Sequence, residues 1–254
     1  MEIASIIGLV MGLSAIIGGH LLEGGHIGAL IQPTAAMIVA GGAFGASCVS
    51  FPLPAVIKAL KDVVHVFFPP KYDPEQIIKE IVGWSTKARQ NGLISLEQDA
   101  KNIADPYIRK GLNLIVDGTE PETFRETMET ELGTFEEHEK TSAEFYESVG
   151  GFAPTVGIIG AVLGLIHVME NLSDSSKLGA GIAVAFVATI YGLVIANIIC
   201  LPFCTKLKGQ LKQQVRQKEI ILEGLYALQA GANPRIIEEK LRAYLVDDGK
   251  EKPK

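Results

Sequence analysis

The stretch Gly151-Phe-Ala-Pro-Thr-Val-Gly-Ile-Ile-Gly-Ala-Val-Leu-Gly-Leu-Ile166 (GFAPTVGIIGAVLGLI) carries no charge, yet it interrupts its apolar residues with Pro154 and repeated glycines. It belongs to an apolar run from about 151 to 169, long enough to cross the roughly 30 Å of a bilayer's hydrocarbon as a helix. Three similar runs stand at about 3–22, 27–51 and 179–203. In a chain of 254 residues with a mean hydropathy of +0.27, 20% charged residues and a net charge of -6, this reads as an all-α membrane protein with four transmembrane helices.

The start, Met1-Glu-Ile-Ala-Ser, has no basic n-region, and no short-run-plus-cleavage pattern follows it, so the first run is expected to be retained as a helix. Basic residues set the orientation. Of 23 Lys and Arg, 11 lie between Lys58 and Lys140 and 11 from Lys206 onward, leaving only Lys177 elsewhere. Both large polar segments, and with them both termini, are therefore expected in the cytoplasm. The short connections at His20–Gly25 and Asn171–Lys177 fall on the other side. The expected organisation is transmembrane helices 1 and 2 in 1–54, a cytoplasmic helical domain in 55–148, helices 3 and 4 in 149–204, and cytoplasmic helices and tail in 205–254.

Phe51-Pro-Leu-Pro-Ala-Val-Ile-Lys-Ala-Leu-Lys61 reads as a turn and an amphipathic helix at the membrane interface, with Lys58 and Lys61 toward lipid headgroups. Asp73 is placed to cap a helix that has Pro74 at its first position, and Asn91-Gly92 ends it. A further helix is expected over Pro106–Asp117, and an acidic one from Thr119 through Glu147 that feeds the third span. The fourth span is expected to run on into the cytoplasm to about Ala230. Gly231-Ala-Asn-Pro234 then breaks it before a last short helix reaching Val246, and no strands are expected.

Chemical motifs are absent: no phosphate loop, no zinc-spaced Cys and His, no nucleophile elbow. The chain is expected not to be an enzyme, to need no metal or cofactor, and to bind no nucleic acid. Cys48, Cys200 and Cys204 lie in or at the ends of spans as small apolar filler. His138, in an acidic helix face, lacks a second ligand cluster. His20, His26 and His167 are expected at headgroup level, where packing is favoured over proton sensing.

No Asp, Glu, Lys or Arg lies within the third or fourth span, or deep in the first two, so this chain cannot supply the intramembrane carboxylate of an ion pathway. The spans are instead rich in small residues. Gly8 and Gly12, Gly41 and Gly45, and Gly160 and Gly164 have the GxxxG spacing, and Gly181 with Ala185 a softer version, which suits close helix packing within one chain or between chains. Thr189 is expected to be the one hydroxyl in mid-membrane on the fourth span. It either bonds the carbonyl one turn back or lines a wet path.

Pro154-Thr-Val-Gly-Ile-Ile-Gly-Ala-Val-Leu-Gly-Leu-Ile166, Ala185-Phe-Val-Ala-Thr-Ile-Tyr-Gly192, Leu201-Pro202 and Arg89-Gln-Asn-Gly-Leu-Ile-Ser-Leu-Glu97 together resemble the MotA/PomA family of flagellar stator subunits, in the same order over nearly the whole chain. The resemblance implies a bacterial inner-membrane protein that forms a homo-oligomeric ring, a pentamer, around two copies of a MotB-like B subunit, whose helix carries the ion-binding aspartate. It implies that Thr189 faces the ion path, that Pro154 and Pro202 couple ion movement to motion, and that Arg89 and Glu97 meet a FliG-like rotor switch protein. Ala161 stands where sodium-driven members commonly carry threonine, which implies proton as the transported ion, since a desolvated sodium ion needs several oxygens. An ExbB/TolQ-type ring is the runner-up, disfavoured by four spans and by the Arg89 to Glu97 motif. A membrane scaffold without ion flow is a third reading.

Overall fold

The computed structural model describes residues 2–170 and 175–245. The chain forms two compact units, Met1–Pro70 with Glu139–Gln210, and Lys71–His138 with Leu211–Lys254. Among the described residues, four helices are long and apolar enough to cross a membrane, in Ile3–Leu22, Ile27–Ser50, Pro121–Glu170 and Gly181–Gln229.

In the first unit, α1 (Ile3–Leu22) buries no residue, so its apolar surface is left for lipid or another chain. The second span is broken where the sequence suggested one run. A single turn, α2 (Ile27–Leu30), stops at Ile31–Gln32, and α3 (Pro33–Ser50) restarts behind it. Pro33 explains the break: its ring pushes the preceding residue out of the helical region, and Gln32 is extended at φ -126°, ψ 96°. One stripe of α3 at fourfold spacing, Ala35, Val39, Ala43 and Ser47, is buried. Ala35 and Val39 pack with Val187 and Ala188 of α9 (Ser175–Val194).

The helix expected at the interface is α4 (Leu53–Phe67), opened by Pro52 and Pro54. Lys58 does not point to headgroups. Its Nζ lies 2.6 Å from Asp62 Oδ2 and 3.0 Å from Glu139 Oε2, because a partly buried ammonium must be paired. Burial by itself would lower the Lys58 pKa, but the hydrogen bonds and charges of Asp62 and Glu139 outweigh it and raise it above the ordinary lysine value. Burial likewise works to raise Asp62, while hydrogen bonds from Lys58 and Ser142 hold its carboxyl below the usual range.

The second unit is assembled from distant segments. Here α5 (Pro74–Asn91) starts on an Asp73 cap that accepts from Gln76 N at 3.0 Å, and ends at Gly92, whose φ of +79° suits glycine. The turn Leu93–Leu96 leads into α6 (Glu97–Asn102), then α7 (Pro106–Val116), whose Asp105 cap accepts from the amides of Tyr107 and Ile108. Their buried faces, including Ile81, Trp84, Leu96, Tyr107 and Leu112, share one core with Phe124 and Met128 of α8 (Pro121–Glu170), Ile221 and Leu225 of α10 (Leu201–Gln229), and Leu241 of α11 (Pro234–Arg242). Each such side chain contributes roughly 1.5–3 kcal/mol on burial. The last helix, expected to reach Val246, ends at Arg242, and Val246 itself lies outside the described residues.

Candidate functional site

Two groups of residues carry the functional expectations. The first lies in the first unit, where the apolar half of α8 packs against α9. Gly192 is the closest crossing: a Cβ there would stand 2.5 Å from Ala153 O and 3.2 Å from Pro154 Cα. Nothing larger than glycine fits, so α9 passes directly over Pro154. One turn further along α8, Gly157 faces Ala188, Thr189 and Gly192, and Gly164 lies against Ala185, where a Cβ would come 2.8 Å from Ala185 N. Pro154 and Thr189 are thereby brought to the same crossing.

The GxxxG motifs divide accordingly. Gly160 and Gly164, with Gly181, are used inside the chain, against Ala188, Ala185 and Val168 respectively. In α1, Gly12 meets Ile198 while Gly8 meets nothing; in α3, Gly41 and Gly45 meet nothing. The glycine of α3 that receives a neighbour, Val156, is Gly42, outside the motif.

Pro154 sits inside α8 without interrupting it. Lacking an amide proton, it cannot satisfy the Gly150 carbonyl, and the adjacent Thr155 hydroxyl bonds Phe152 O at 2.8 Å. Pro202 is exposed near the start of α10, directly after a π-helical turn at Ile195–Cys200. The proline ring crowds the carbonyl four residues back, Ile198, and a widened turn relieves that clash. The fourth span is therefore irregular beside Pro202, through a widened turn that precedes the proline.

Thr189 is half-buried, and its hydroxyl donates to Ala185 O at 3.4 Å, a long and hence weak bond. The bond back to the helix is thus made, yet the oxygen keeps lone pairs free to accept. Ala161 is also half-buried, on the same edge of α8 as Pro154 two turns away. Thr189 is not the only hydroxyl of its span: Tyr191 donates to Leu30 O at 2.5 Å and accepts from Gln32 N at 3.2 Å, capping the break between α2 and α3. A tyrosine amid apolar neighbours, two residues from Thr189, was the available signal, since a buried phenol needs a partner.

The second group is an exposed charged pair on the second unit. Arg89, on the last turn of α5, is exposed and makes no ion pair among the described residues. Glu97 opens α6 and pairs with Lys101 at 2.7 Å; the hydrogen bond and charge of Lys101 hold its carboxyl below the usual range. The two helices are tied by a pair the sequence reading missed, Lys87 Nζ to Asp99 Oδ2 at 2.7 Å, and by Leu96, which is buried. Leu96 anchors the connection while Ile94, Arg89 and Glu97 face out. Cys200 and Cys204 are buried in the apolar core of the first unit, and Cys48 is exposed.

With this geometry in view, the chain compares closely with known proteins. A family profile described as the MotA/TolQ/ExbB proton channel family matches residues 99–220, and one described as Motility protein A N-terminal matches residues 6–91. Motility protein A of Bacillus subtilis (strain 168) is 33% identical over 249 residues, spanning 96% of this chain and 91% of that protein. The chain belongs to the motility protein A family. Another relative in that family, chemotaxis protein PomA of Vibrio alginolyticus, is 30% identical over 250 residues, covering 98% of this chain and 97% of that one. Among solved structures, MotAB of C. jejuni superposes with a TM-score of 0.92 at 31% identity over 100% of both chains. The flagellar MotAB stator complex of Bacillus subtilis gives 0.85 at 33% identity over 94% of both. The profile shared with TolQ and ExbB does not by itself choose a branch. The N-terminal motility profile does, because it takes in the first two spans and Arg89.

Proposed function

We propose that this chain is the channel-forming stator subunit of a bacterial flagellar motor and couples inward proton flow to torque. The observation that carries the reading is a span pair packed tightly at Pro154, Gly157, Thr189 and Gly192 with no carboxylate of its own, in a chain that matches MotAB stator structures end to end. A MotB-like partner supplies the missing acid. Two copies of it stand inside a homopentamer of this chain, with Thr189 and Ala161 along the proton's path and Pro154 and Pro202 as the points where the spans bend. Arg89 and Glu97 engage the charges of a FliG-like switch protein. The protein lies in the inner membrane among lipid, with both termini in the cytoplasm, and works as a transporter without enzymatic activity or cofactor.

Proton flux through the co-expressed A and B subunits tests this. With the B subunit's plug segment deleted, the cytoplasm should acidify when an inward proton gradient is imposed. No acidification above cells lacking the B subunit would sink the channel reading and leave a scaffold.

A further inference from the structure

Helix α4 contacts both helices that carry Pro154 and Pro202. On α8, Lys58 donates to Glu139, Ser142 donates to Asp62 at 2.6 Å, and the Tyr146 hydroxyl donates to Ala59 O at 3.0 Å; all three α8 residues precede Pro154. On α10, Gln210 Nε2 donates to His65 O at 2.7 Å, and the Phe203 ring meets Phe67 edge to face at 5.6 Å; both α10 residues follow Pro202. Tyr146 and Phe203, at 6.0 Å, join α8 and α10 directly. Every one of these contacts lies before Pro154 on α8 and after Pro202 on α10.

The charges are placed where adhesion does not require them. Lys58 and Asp62 are only 19% and 16% exposed, and His65 Nδ1 stands 3.9 Å from Asp62 Oδ1. Apolar residues of the same volume would hold two helices as firmly, since removing charges from water offsets most of the attraction between them. What a hydrogen-bonded pair adds is a single register: apolar surfaces slide at small cost, whereas Lys58 reaches Asp62 and Glu139 together in one alignment.

We propose that Lys58 and Asp62 are positioning residues for torque, holding α4 as a clamp across α8 and α10. The segments below Pro154 and Pro202 then move as one body, and bending at the prolines passes along these two continuous helices instead of being lost as slippage between them. This rests on the stator reading above. Ala161 and Thr189, the residues of the proposed proton path, lie on the other side of Pro154 and Pro202 along their helices, away from the clamp.

The test uses the full chain co-expressed with its B subunit, intact for torque on tethered cells and plug-deleted for proton leak. Lys58→Met and the isosteric Asp62→Asn should leave co-purified complex and leak within about twofold of the parent and lower stall torque about tenfold, in keeping with the large cost of small misalignments. Lys58→Arg, which keeps the charge and the donors, should restore most of the torque. Unchanged torque in both neutral variants would overturn the proposal. So would torque, leak and complex falling together, which is the mark of a merely structural role, or Lys58→Arg failing as badly as Lys58→Met. Absence of leak from the plug-deleted parent would count against the stator reading itself, separately from any of these outcomes.

Discussion

Gly192→Ala probes the crossing proposed above as part of the wall of the ion path. The added methyl would sit 2.5 Å from Ala153 O and 3.2 Å from Pro154 Cα, both backbone atoms that cannot rotate away. Relief to ordinary van der Waals distance needs the helices to part by about 1 Å, and overpacking of this kind costs about 1–3 kcal/mol. The separation falls at Pro154 and one turn from Thr189, so it should widen the wall at the point where the proton is to pass. Stability of the purified complex should fall by several degrees, and torque should fall with it. Gly8→Ala, whose methyl meets nothing within 4 Å in this chain, is the control. If Gly192→Ala matches the parent in melting temperature, proton leak and torque, the close crossing is not what shapes the path.

Three further outcomes are expected. Charge reversal at Arg89 or Glu97 should impair swimming while complex recovery stays at the parental level; unchanged swimming for both single reversals and the double would remove them from the rotor contact. Swimming speed should follow the proton potential and ignore replacement of external sodium by potassium, and dependence on sodium would overturn the reading of Ala161. The Asp62 carboxyl is held below its ordinary value of 3.8, so its stabilising contribution is present above that value and lost as pH falls through the lowered one. Lys58 is raised above 10.5, so its contribution holds below 10.5 and is lost as pH rises through the raised value. Melting of the purified complex should thus lose an acid-sensitive component in Asp62→Asn, and an acid limb identical to the parent's would show that Asp62 contributes nothing.

Sequence by itself determined the features that depend on a residue and its near neighbours. Four apolar runs of helix-spanning length read as helices, because a helix satisfies all of its backbone polar groups within the segment and lipid offers no other partner. Asp73 with Pro74 and Asn91-Gly92 mark the ends of α5 through side-chain capping and a positive φ, both local effects. The absence of a carboxylate in the spans was legible in the same way, while the partner that would provide one was implied only by the family resemblance.

Tertiary structure decided whatever depends on what lies opposite. GxxxG spacing does not say which glycine meets a neighbour: Gly160 and Gly164 do, Gly41 and Gly45 do not, and Gly192 and Gly42, in no GxxxG pair, do. Lys58 reads as a headgroup contact until Asp62, Glu139 and Ser142 appear around it, and of these Glu139 and Ser142 are some eighty residues away in sequence. The segment after Leu211 reads as a continuation and tail until its Ile221, Leu225 and Leu241 are found in one core with Ile81 and Leu112. Periodicity marks a face as apolar, but the identity of the surface that covers it is a property of the packed chain, where close approach and burial are settled between residues far apart in sequence.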